Sequence, residues 1–279
     1  MTEPRAKDLP DHLTVGIAGS GNIACGLAVA CAPHLEVRLH ARSAASAERA
    51  RGTMARMAKR APGGERVEAR VAIVPELTDL AGATVLVEAV AEDAAIKAEV
   101  LRALAALPSA APLITTTSSL PLGELAHASG APERVAAVHL FSPVYQVPLV
   151  ELAFPEEADE ATRATARGLC DTLGKTVIEV PGVPGFVVNR VVFPMLMAAV
   201  ETLELTNLEP ESVDEAMRLA LGHPLGPLRT LDFIGIDVSI AIAERLDLQV
   251  PHRLLAMATA GTLGRKSGAG FFSYHREAI

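Results

Sequence analysis

The chain has 279 residues, of which 50% are hydrophobic, and its mean hydropathy is +0.31. This is enough for one large or two modest domains with a sizeable core. The formal net charge of −8, without any basic run, argues against nucleic acid as a partner.

Two further exclusions follow from the residue pattern. No apolar run reaches about 18 residues, so we expect no membrane span, and the polar, mixed-charge residues 1–12 do not resemble a signal peptide. Cys25, Cys31 and Cys170 lack the spacing of metal ligands and predict buried free thiols in a reducing compartment. We therefore expect a cytoplasmic protein without a metal site.

The first ordered elements indicate a dinucleotide site. Residues 13–18 have a buried-strand pattern, and a glycine turn, a helical stretch at 27–31 and a second strand at 36–40 follow. This order is the context in which a glycine pattern predicts a dinucleotide fingerprint, with the pyrophosphate on the helix N-terminus. The tight turn, the close backbone approach and the small third position are assigned to Gly19, Gly21 and Ala24. The predicted binding residues of the turn are Gly19, Ser20, Gly21, Asn22, Ile23 and Ala24.

The residues after the second strand bear on the choice of cofactor. An NAD site usually places Asp or Glu here to bind the ribose hydroxyls, but the run 39–43 has no carboxylate and contains Arg42 and Ser43. A cation and a hydroxyl suit a 2′-phosphate. The sequence therefore favours NADP, with NAD as the alternative if Arg42 is only a solvated cation.

Strand and helix patterns alternate along the next hundred residues. The strand patterns are 71–74, 84–90, 113–117 and 135–140, and the helix patterns are 44–60, 92–106 and 120–129. Alternation predicts a doubly wound, parallel α/β sheet of Rossmann type with both faces covered. Ligands bind beyond the carboxyl ends of such strands, where Glu92, Ser118 and His139 also fall.

Residues 137–151 contain the candidate acid–base pair. A short strand carries His139, a loop with two prolines follows, and a second strand pattern ends at Glu151. If the two strands lie side by side, Glu151 reaches the imidazole, fixes its tautomer and stabilises its charged form, as a general base requires. Alternatively, His139 is a structural residue near a strand end.

Several motifs together resemble the 3-hydroxyacyl-CoA dehydrogenase family, in the short form that includes 3-hydroxybutyryl-CoA dehydrogenases. The resemblance extends from about residue 13 to residue 274. It is carried by the glycine turn and by Val87-Glu-Ala-Val-Ala-Glu92, Thr117-Ser-Ser-Leu120, His139-Leu-Phe-Ser-Pro143, Leu149-Val-Glu151, Pro184-Gly-Phe-Val-Val-Asn-Arg190, Gly222-His-Pro-Leu-Gly-Pro227 and Gly264-Arg-Lys-Ser-Gly-Ala-Gly-Phe271.

The resemblance implies a role for each matching residue. His139 would exchange a proton with the substrate 3-hydroxyl, and Glu151 would orient it. Ser118 would hydrogen-bond the reacting oxygen, and Asn189 would help to hold the substrate. The matching cofactor residues are Glu92, Lys97 and Lys266, and Ser142 is predicted as a cofactor residue from its position. Taken singly, Ser118 or Asn189 is equally consistent with a cap or a turn.

The chain also departs from the family pattern. Thr116 and Ser142 stand where the family usually has Asn, and Pro148 replaces a basic residue. The segment 43–84 is shorter than the family's helical hairpin by roughly two turns, and in the family that hairpin carries part of the coenzyme A site.

The C-terminal part reads as helical. Residues 181–185 form a Pro/Gly linker, and helices are predicted at 186–206, 210–221, 228–246 with an interruption near Gly235, and 251–259. We place the domains at 11–182, the NAD(P)-binding Rossmann domain, and 183–279, an all-α domain. We expect its long, mostly apolar helix to be buried, in part by another subunit. An all-helical domain with this much apolar surface suggests a homodimer, as in the family.

Three functions remain open at this stage. The first is an NADP-preferring dehydrogenase of short-chain 3-hydroxyacyl-CoA. The second acts on a small 3-hydroxyacyl group on an acyl carrier protein, which makes polyketide extender units in a related branch, or on a free hydroxy acid. An acidic carrier requires basic residues, which the shortened segment supplies: Arg49, Arg51, Arg56, Lys59 and Arg60. The third is a catalytically idle dinucleotide-binding protein.

Overall fold

A computed structural model describes residues 13–274, so the prediction for residues 1–12 lies outside the described part. The described residues form two compact units, with the division between Phe186 and Val187. The predicted domain boundary at 182–183 lies a few residues earlier and stays a prediction.

The first unit alternates strands and helices. Its strands are β1 Thr14–Ala18, β2 Glu36–His40, β3 Val71–Val74, β4 Val85–Glu88, β5 Leu113–Thr115, β6 Val135–Leu140, β7 Leu149–Ala153 and β8 Thr176–Glu179. Its α-helices are α1 Asn22–Cys31, α2 Ala44–Ala58, α3 Val67–Arg70, α4 Ala94–Ala105, α5 Leu122–Ser129 and α6 Glu160–Thr172. Each predicted element of residues 13–140 is present, and the segment that holds α6 and β8 had no prediction.

The eight strands form one sheet in the order β3-β2-β1-β4-β5-β6-β7-β8. The first six in this order are parallel, but β7 pairs with β6 antiparallel, and β8 then runs parallel to β7. The connection from residue 141 to residue 148 is too short for the crossover that a parallel partner needs, so β7 returns as a hairpin. The sheet is thus mostly parallel, as the Rossmann-type prediction requires.

Successive residues of each strand face opposite layers, which explains why central strands such as β1 and β4 are buried and mostly apolar along their length. Val85 and Val87 of β4 belong to a core with α1, α2 and α6, whereas Leu86 belongs to a core with α4 and α5. The predicted covering of both faces is therefore confirmed. Cys25, Cys31 and Cys170 are buried in the first of these cores as free thiols.

The second unit contains α-helices and a short 3-10 turn at Arg265–Ser267. The helices are α7 Val188–Thr206, α8 Pro210–Leu221, α9 Pro227–Ile234, α10 Ile236–Arg245 and α11 His252–Thr259. The predicted interruption falls at Gly235, which lies between α9 and α10. Its φ of 104° is incompatible with a continuous α-helix.

One face of the long helix α7 is buried within the single chain, through residues such as Phe193 and Leu196. Val191 and Leu205 of the same helix are 66% and 87% exposed. The expectation that another subunit covers part of α7 therefore stays a prediction.

Candidate active site

The glycine turn between β1 and α1 has the geometry that a dinucleotide requires. Gly19 has φ of +136°, and a Cβ there would lie 2.3 Å from the carbonyl oxygen of Ala89, so this position needs glycine. Gly21 precedes the first residue of α1, and a Cβ on Gly21 would meet open space. The turn therefore leaves room for a phosphate beside the unpaired amides of the helix N-terminus.

Close packing of α1 depends on two small residues. Ala24, the predicted third position, is fully buried. A Cβ on Gly26 would lie 3.0 Å from a methyl carbon of Val144, so Gly26 also brings α1 close to its neighbours. The sequence interpretation assigned this role to Ala24 alone.

A cavity of about 510 Å³ opens from this turn. Its lining combines the turn with the ends of β2 and β4 and one face of α4: Ala18, Gly19, Ser20, Gly21, His40, Arg42, Leu77, Ala89, Val90, Ala91, Ile96, Glu99, Val100 and Ala103. Burial lowers the pKa of His40. The cavity is large enough for part of a dinucleotide and is mostly apolar where an adenine ring could lie.

The two residues predicted to recognise a 2′-phosphate differ in their availability. Arg42 is exposed and lines the cavity. The Ser43 hydroxyl already caps α2, because it accepts from the backbone N–H of Ser46 at 3.2 Å and lies 3.0 Å from the Ser46 hydroxyl. Arg42 is therefore the principal cation at this end of the cavity.

His139 and Glu151 form a buried pair across β6 and β7. The two residues stand opposite each other in the antiparallel register, and the imidazole Nδ1 lies 2.7 Å from Oε2 of Glu151. His139 is 4% and Glu151 1% exposed. The contact expected from the sequence is present, and it leaves the opposite ring nitrogen for other chemistry.

Two aromatic rings fix the plane of the imidazole. The ring of Phe186 stacks on His139 at 5.2 Å between centroids, and the ring of Phe141 lies at 4.4 Å with a tilt of 51°. Phe186 has φ of 48°, a left-handed conformation that a bulky residue adopts only under structural constraint. Phe186 lies within the motif at 184–190, and no functional role was predicted for it from the sequence.

Ser118 lies in the turn that follows β5, and Glu92 organises that turn. Oε1 of Glu92 accepts from the backbone N–H groups of Ser118 and Ser119 at 2.7 and 2.9 Å, and it lies 3.3 Å from the Ser118 hydroxyl. Because Thr115 of β5 pairs with Ala137 of β6 in parallel, Ser118 and His139 both lie at the carboxyl ends of neighbouring strands.

Lys97 is buried and pairs with two carboxylates. It is 1% exposed, and its ammonium donates to both carboxylate oxygens of Glu88, at 2.8 and 3.0 Å, while Oε2 of Glu92 lies at 3.3 Å. The predicted contact of Lys97 with a cofactor stays a prediction. Glu88 was missed as a functional candidate, although a carboxylate after three buried apolar residues is an unusual pattern.

Ser142 joins the loop after β6 to the glycine turn. The side-chain amide of Asn22 donates to the Ser142 hydroxyl at 3.3 Å. This contact places two of the predicted cofactor residues side by side at the start of α1.

Asn189 and Lys266 belong to the second unit. Asn189 is 9% exposed in α7, and the Lys266 ammonium pairs with the carboxylate of Asp237. Asp232, which the sequence interpretation missed, holds the segment after Lys266: its carboxylate accepts from the backbone N–H groups of Phe271 and Phe272, both at 2.9 Å. A Cβ on Gly270 would lie 1.9 Å from Asp232, which explains part of the glycine motif.

Two absences concern the described residues only. Residues 13–274 contain no group of three or more His, Cys, Asp or Glu side chains that could hold a metal ion. No helix in that range has the length and apolar character needed to cross a bilayer.

The fold, the glycine turn and the His–Glu pair define the class of NAD-binding dehydrogenases. Residues 14–183 match the family model described as "3-hydroxyacyl-CoA dehydrogenase, NAD binding domain", and residues 185–274 match the C-terminal domain of the same family. The chain therefore belongs to the 3-hydroxyacyl-CoA dehydrogenase family, as the motifs predicted.

Individual relatives agree with this assignment. A 3-hydroxybutyryl-CoA dehydrogenase of Mycobacterium tuberculosis is 35% identical over 93% of this chain and 98% of the relative, and a probable one of Bacillus subtilis is 34% identical over 94% and 97%. Among solved structures, M. tuberculosis FadB2 is 33% identical with a TM-score of 0.90, over 95% of this chain and all of that one. The (S)-3-hydroxybutyryl-CoA dehydrogenase of Ralstonia eutropha is 31% identical with a TM-score of 0.85 over the same shares.

Proposed function

We propose that this protein interconverts a short-chain 3-hydroxyacyl-CoA and the corresponding 3-oxoacyl-CoA with a nicotinamide cofactor. The observation that carries the proposal is the buried His139–Glu151 pair at 2.7 Å, next to an NAD-binding fold. An idle dinucleotide-binding protein has no need for a buried acid–base pair, so this alternative is disfavoured.

The proposed mechanism uses three side chains of the first unit. In oxidation His139 takes the proton of the substrate 3-hydroxyl, and in reduction it returns that proton. Glu151 stabilises the imidazolium that forms. The Ser118 hydroxyl, which donates to Oε1 of Glu92 at 3.3 Å in this structure, would donate to the reacting oxygen instead as negative charge develops on it. When bound, a nicotinamide would supply the hydride acceptor or donor for substrate C3.

The roles of residues in the second unit are also part of the proposal. The Asn189 amide would hold the substrate carbonyl, and Lys266 would lie near the cofactor. Both assignments follow from the family motifs that contain these residues.

The cofactor preference is proposed to be NADP. NAD(H) binding follows from the family, and the further preference is supported by exposed Arg42 in the cavity lining and by the lack of a carboxylate after β2. A 2′-phosphate there would form a charge-assisted pair with the guanidinium.

The proposal is tested by an initial-rate panel. Two substrates, acetoacetyl-CoA and the same acyl group on an acyl carrier protein, are assayed for reduction with NADPH and with NADH. A free hydroxy acid is assayed for oxidation with NADP and with NAD. We expect turnover of acetoacetyl-CoA with a preference for NADPH. A preference for NADH of more than about tenfold, roughly 1.4 kcal/mol, refutes the role of Arg42, and no turnover of any thioester refutes the activity.

A second candidate is the carrier-protein substrate, and the surface of α2 favours it. Five cations lie on this helix and its C-terminal extension: Arg49, Arg51, Arg56, Lys59 and Arg60. In a chain of net charge −8, this group forms a local basic surface that suits an acidic carrier. A variant with Arg49, Arg56 and Arg60 changed to Glu would lose activity on the carrier-bound substrate only.

A homodimer is proposed from the second unit. Large apolar side chains of this unit are exposed in the single chain, among them Val191, Leu205 and Leu219. Sedimentation at several concentrations tests the assembly, and a Leu205→Glu variant should shift it toward monomer. A cytoplasmic location stays a prediction, which cell fractionation would test.

A further inference from the structure

Behind the turn that carries Ser118 lies a buried network of charged side chains. Glu88, the last residue of β4, is fully buried, and Lys97 of α4 is 1% exposed. The Lys97 ammonium donates to Glu88 at 2.8 and 3.0 Å and lies 3.3 Å from Glu92. One cation therefore serves two carboxylates.

Glu88 has its other contacts inside the same unit. It accepts from the backbone N–H of Val90 at 2.8 Å and from the Thr115 hydroxyl at 2.7 Å. Thr115 is also its direct partner in the β4–β5 register. Burial of a carboxylate costs free energy unless the group is paired and hydrogen-bonded. These contacts satisfy Glu88 and fix its carboxylate between Lys97 and β5.

Glu92 connects this network to the candidate site. Its Oε1 accepts from the Thr117 hydroxyl at 2.8 Å and from the next two backbone N–H groups. Burial acts to raise the pKa of Glu92, but the Lys97 ammonium and the hydrogen bonds from this turn outweigh it, so the pKa lies below its usual value. The turn is therefore organised around an ionised carboxylate.

We propose that Glu88 is a positioning residue for the dehydrogenase reaction: it anchors Lys97 beneath Glu92, and the anchored cation holds Glu92 in place under the turn that presents Ser118. The inference rests on the proposed function, because Ser118 acts there on the reacting oxygen. Glu88 itself touches neither substrate nor cofactor in this account.

The charged groups that face Lys97 come from two segments. Glu88 belongs to β4, and Glu92 lies just before α4. Helix α5 also packs against α4, but its Glu124 and His127 are exposed, and His127 pairs with Glu157 at 2.9 Å. Of the described residues of the first unit, Glu88 and Glu92 are thus the carboxylates within ion-pair distance of Lys97.

The test compares the two partners of one buried ion pair. Glu88→Gln, Lys97→Met and, as a control, the exposed Glu124→Gln are assayed for kcat and KM with acetoacetyl-CoA and the preferred reduced cofactor across pH. We expect Glu88→Gln to lower kcat by about tenfold, with a smaller change in KM, because Ser118 is less well placed. Glu124→Gln should match the unmodified protein.

The pH profile separates positioning from a purely structural ion pair. In Lys97→Met the cation that lowers the pKa of Glu92 is lost, so that pKa rises, and activity falls as the pH decreases through it. We therefore expect the acid limb of kcat to move to higher pH in Lys97→Met but not in Glu88→Gln, because the cation remains beside Glu92 when only its anchor is lost. A merely structural pair would lower thermal stability in both variants and leave the two profiles alike.

Two results would overturn the inference: a normal kcat in Glu88→Gln, or the same pH profile in both variants. If Glu88→Gln does not fold, Glu88→Asp replaces it, because it keeps the buried charge and only shortens the reach to Lys97. It should lower kcat without moving the acid limb, and a normal kcat contradicts the proposal. An unmodified protein inactive on every thioester refutes the proposed function instead.

Discussion

Two buried ion pairs of the first unit, His139–Glu151 and Lys97–Glu88, differ in what they leave available for chemistry. Glu151 contacts one nitrogen of His139 and leaves the other available, whereas Glu88 and Glu92 together surround the Lys97 ammonium. A side chain with a free atom can exchange protons with a substrate, but a side chain whose donors are all engaged can only fix its neighbours. The two strands that β5 separates in the sheet thus carry ion pairs with different proposed roles, positioning at β4 and catalysis at β6.

The largest effect is expected when His139 is replaced. His139→Ala should lower kcat by about a thousandfold, because the proton of the 3-hydroxyl then has no positioned acceptor. Cofactor binding, measured by fluorescence titration with NADPH and NADH, should be retained. The matched control is His127→Ala, an exposed histidine paired with Glu157. Full turnover by His139→Ala would assign the histidine to structure alone.

Removal of the partner of His139 should have the next largest effect. Glu151→Gln keeps the shape but loses the charge that stabilises imidazolium, and we expect kcat to fall by about a hundredfold. Steady-state rates with acetoacetyl-CoA check this. A larger loss in Glu88→Gln than in Glu151→Gln would reverse the proposed order of the two ion pairs.

The cofactor preference should respond to one cation. Arg42→Ala should raise the KM for NADPH by about tenfold and leave that for NADH unchanged, because only NADPH carries a 2′-phosphate. Arg49→Ala, another exposed cation at α2, serves as the control. Equal effects on both cofactors would show that Arg42 does not recognise the phosphate.

The smallest effect is expected for the three cysteines, whose thiols are buried and should be almost unreactive in the folded protein. Burial raises the pKa of Cys25 to about 11 and the pKa values of Cys31 and Cys170 to about 12. Since the reactive thiolate forms only as the pH approaches these values, iodoacetamide at pH 8 should label none of the three in the native protein. Mass spectrometry should find all three labelled in urea, and native labelling would contradict the described burial.

Much of the first unit could be predicted because its signals are local. The glycine turn, the strand ends and the His139–Glu151 spacing are each readable within about fifteen residues, and the predicted contact between His139 and Glu151 is present. The reversal of β7 and the elements α6 and β8 were not predicted. Strand direction depends on the connecting loop and on neighbours distant in sequence.

The family, the mostly parallel sheet and the side chains at its strand ends follow from the sequence alone, because periodicity and motif spacing are properties of the chain. Three contacts follow only from the packed fold: Ser43 caps α2, Phe186 stacks on His139, and Lys97 lies between two carboxylates. These contacts join residues whose side-chain directions depend on how separate elements pack. The partner of a buried charge is therefore set in three dimensions, since burial, rather than sequence proximity, makes pairing necessary.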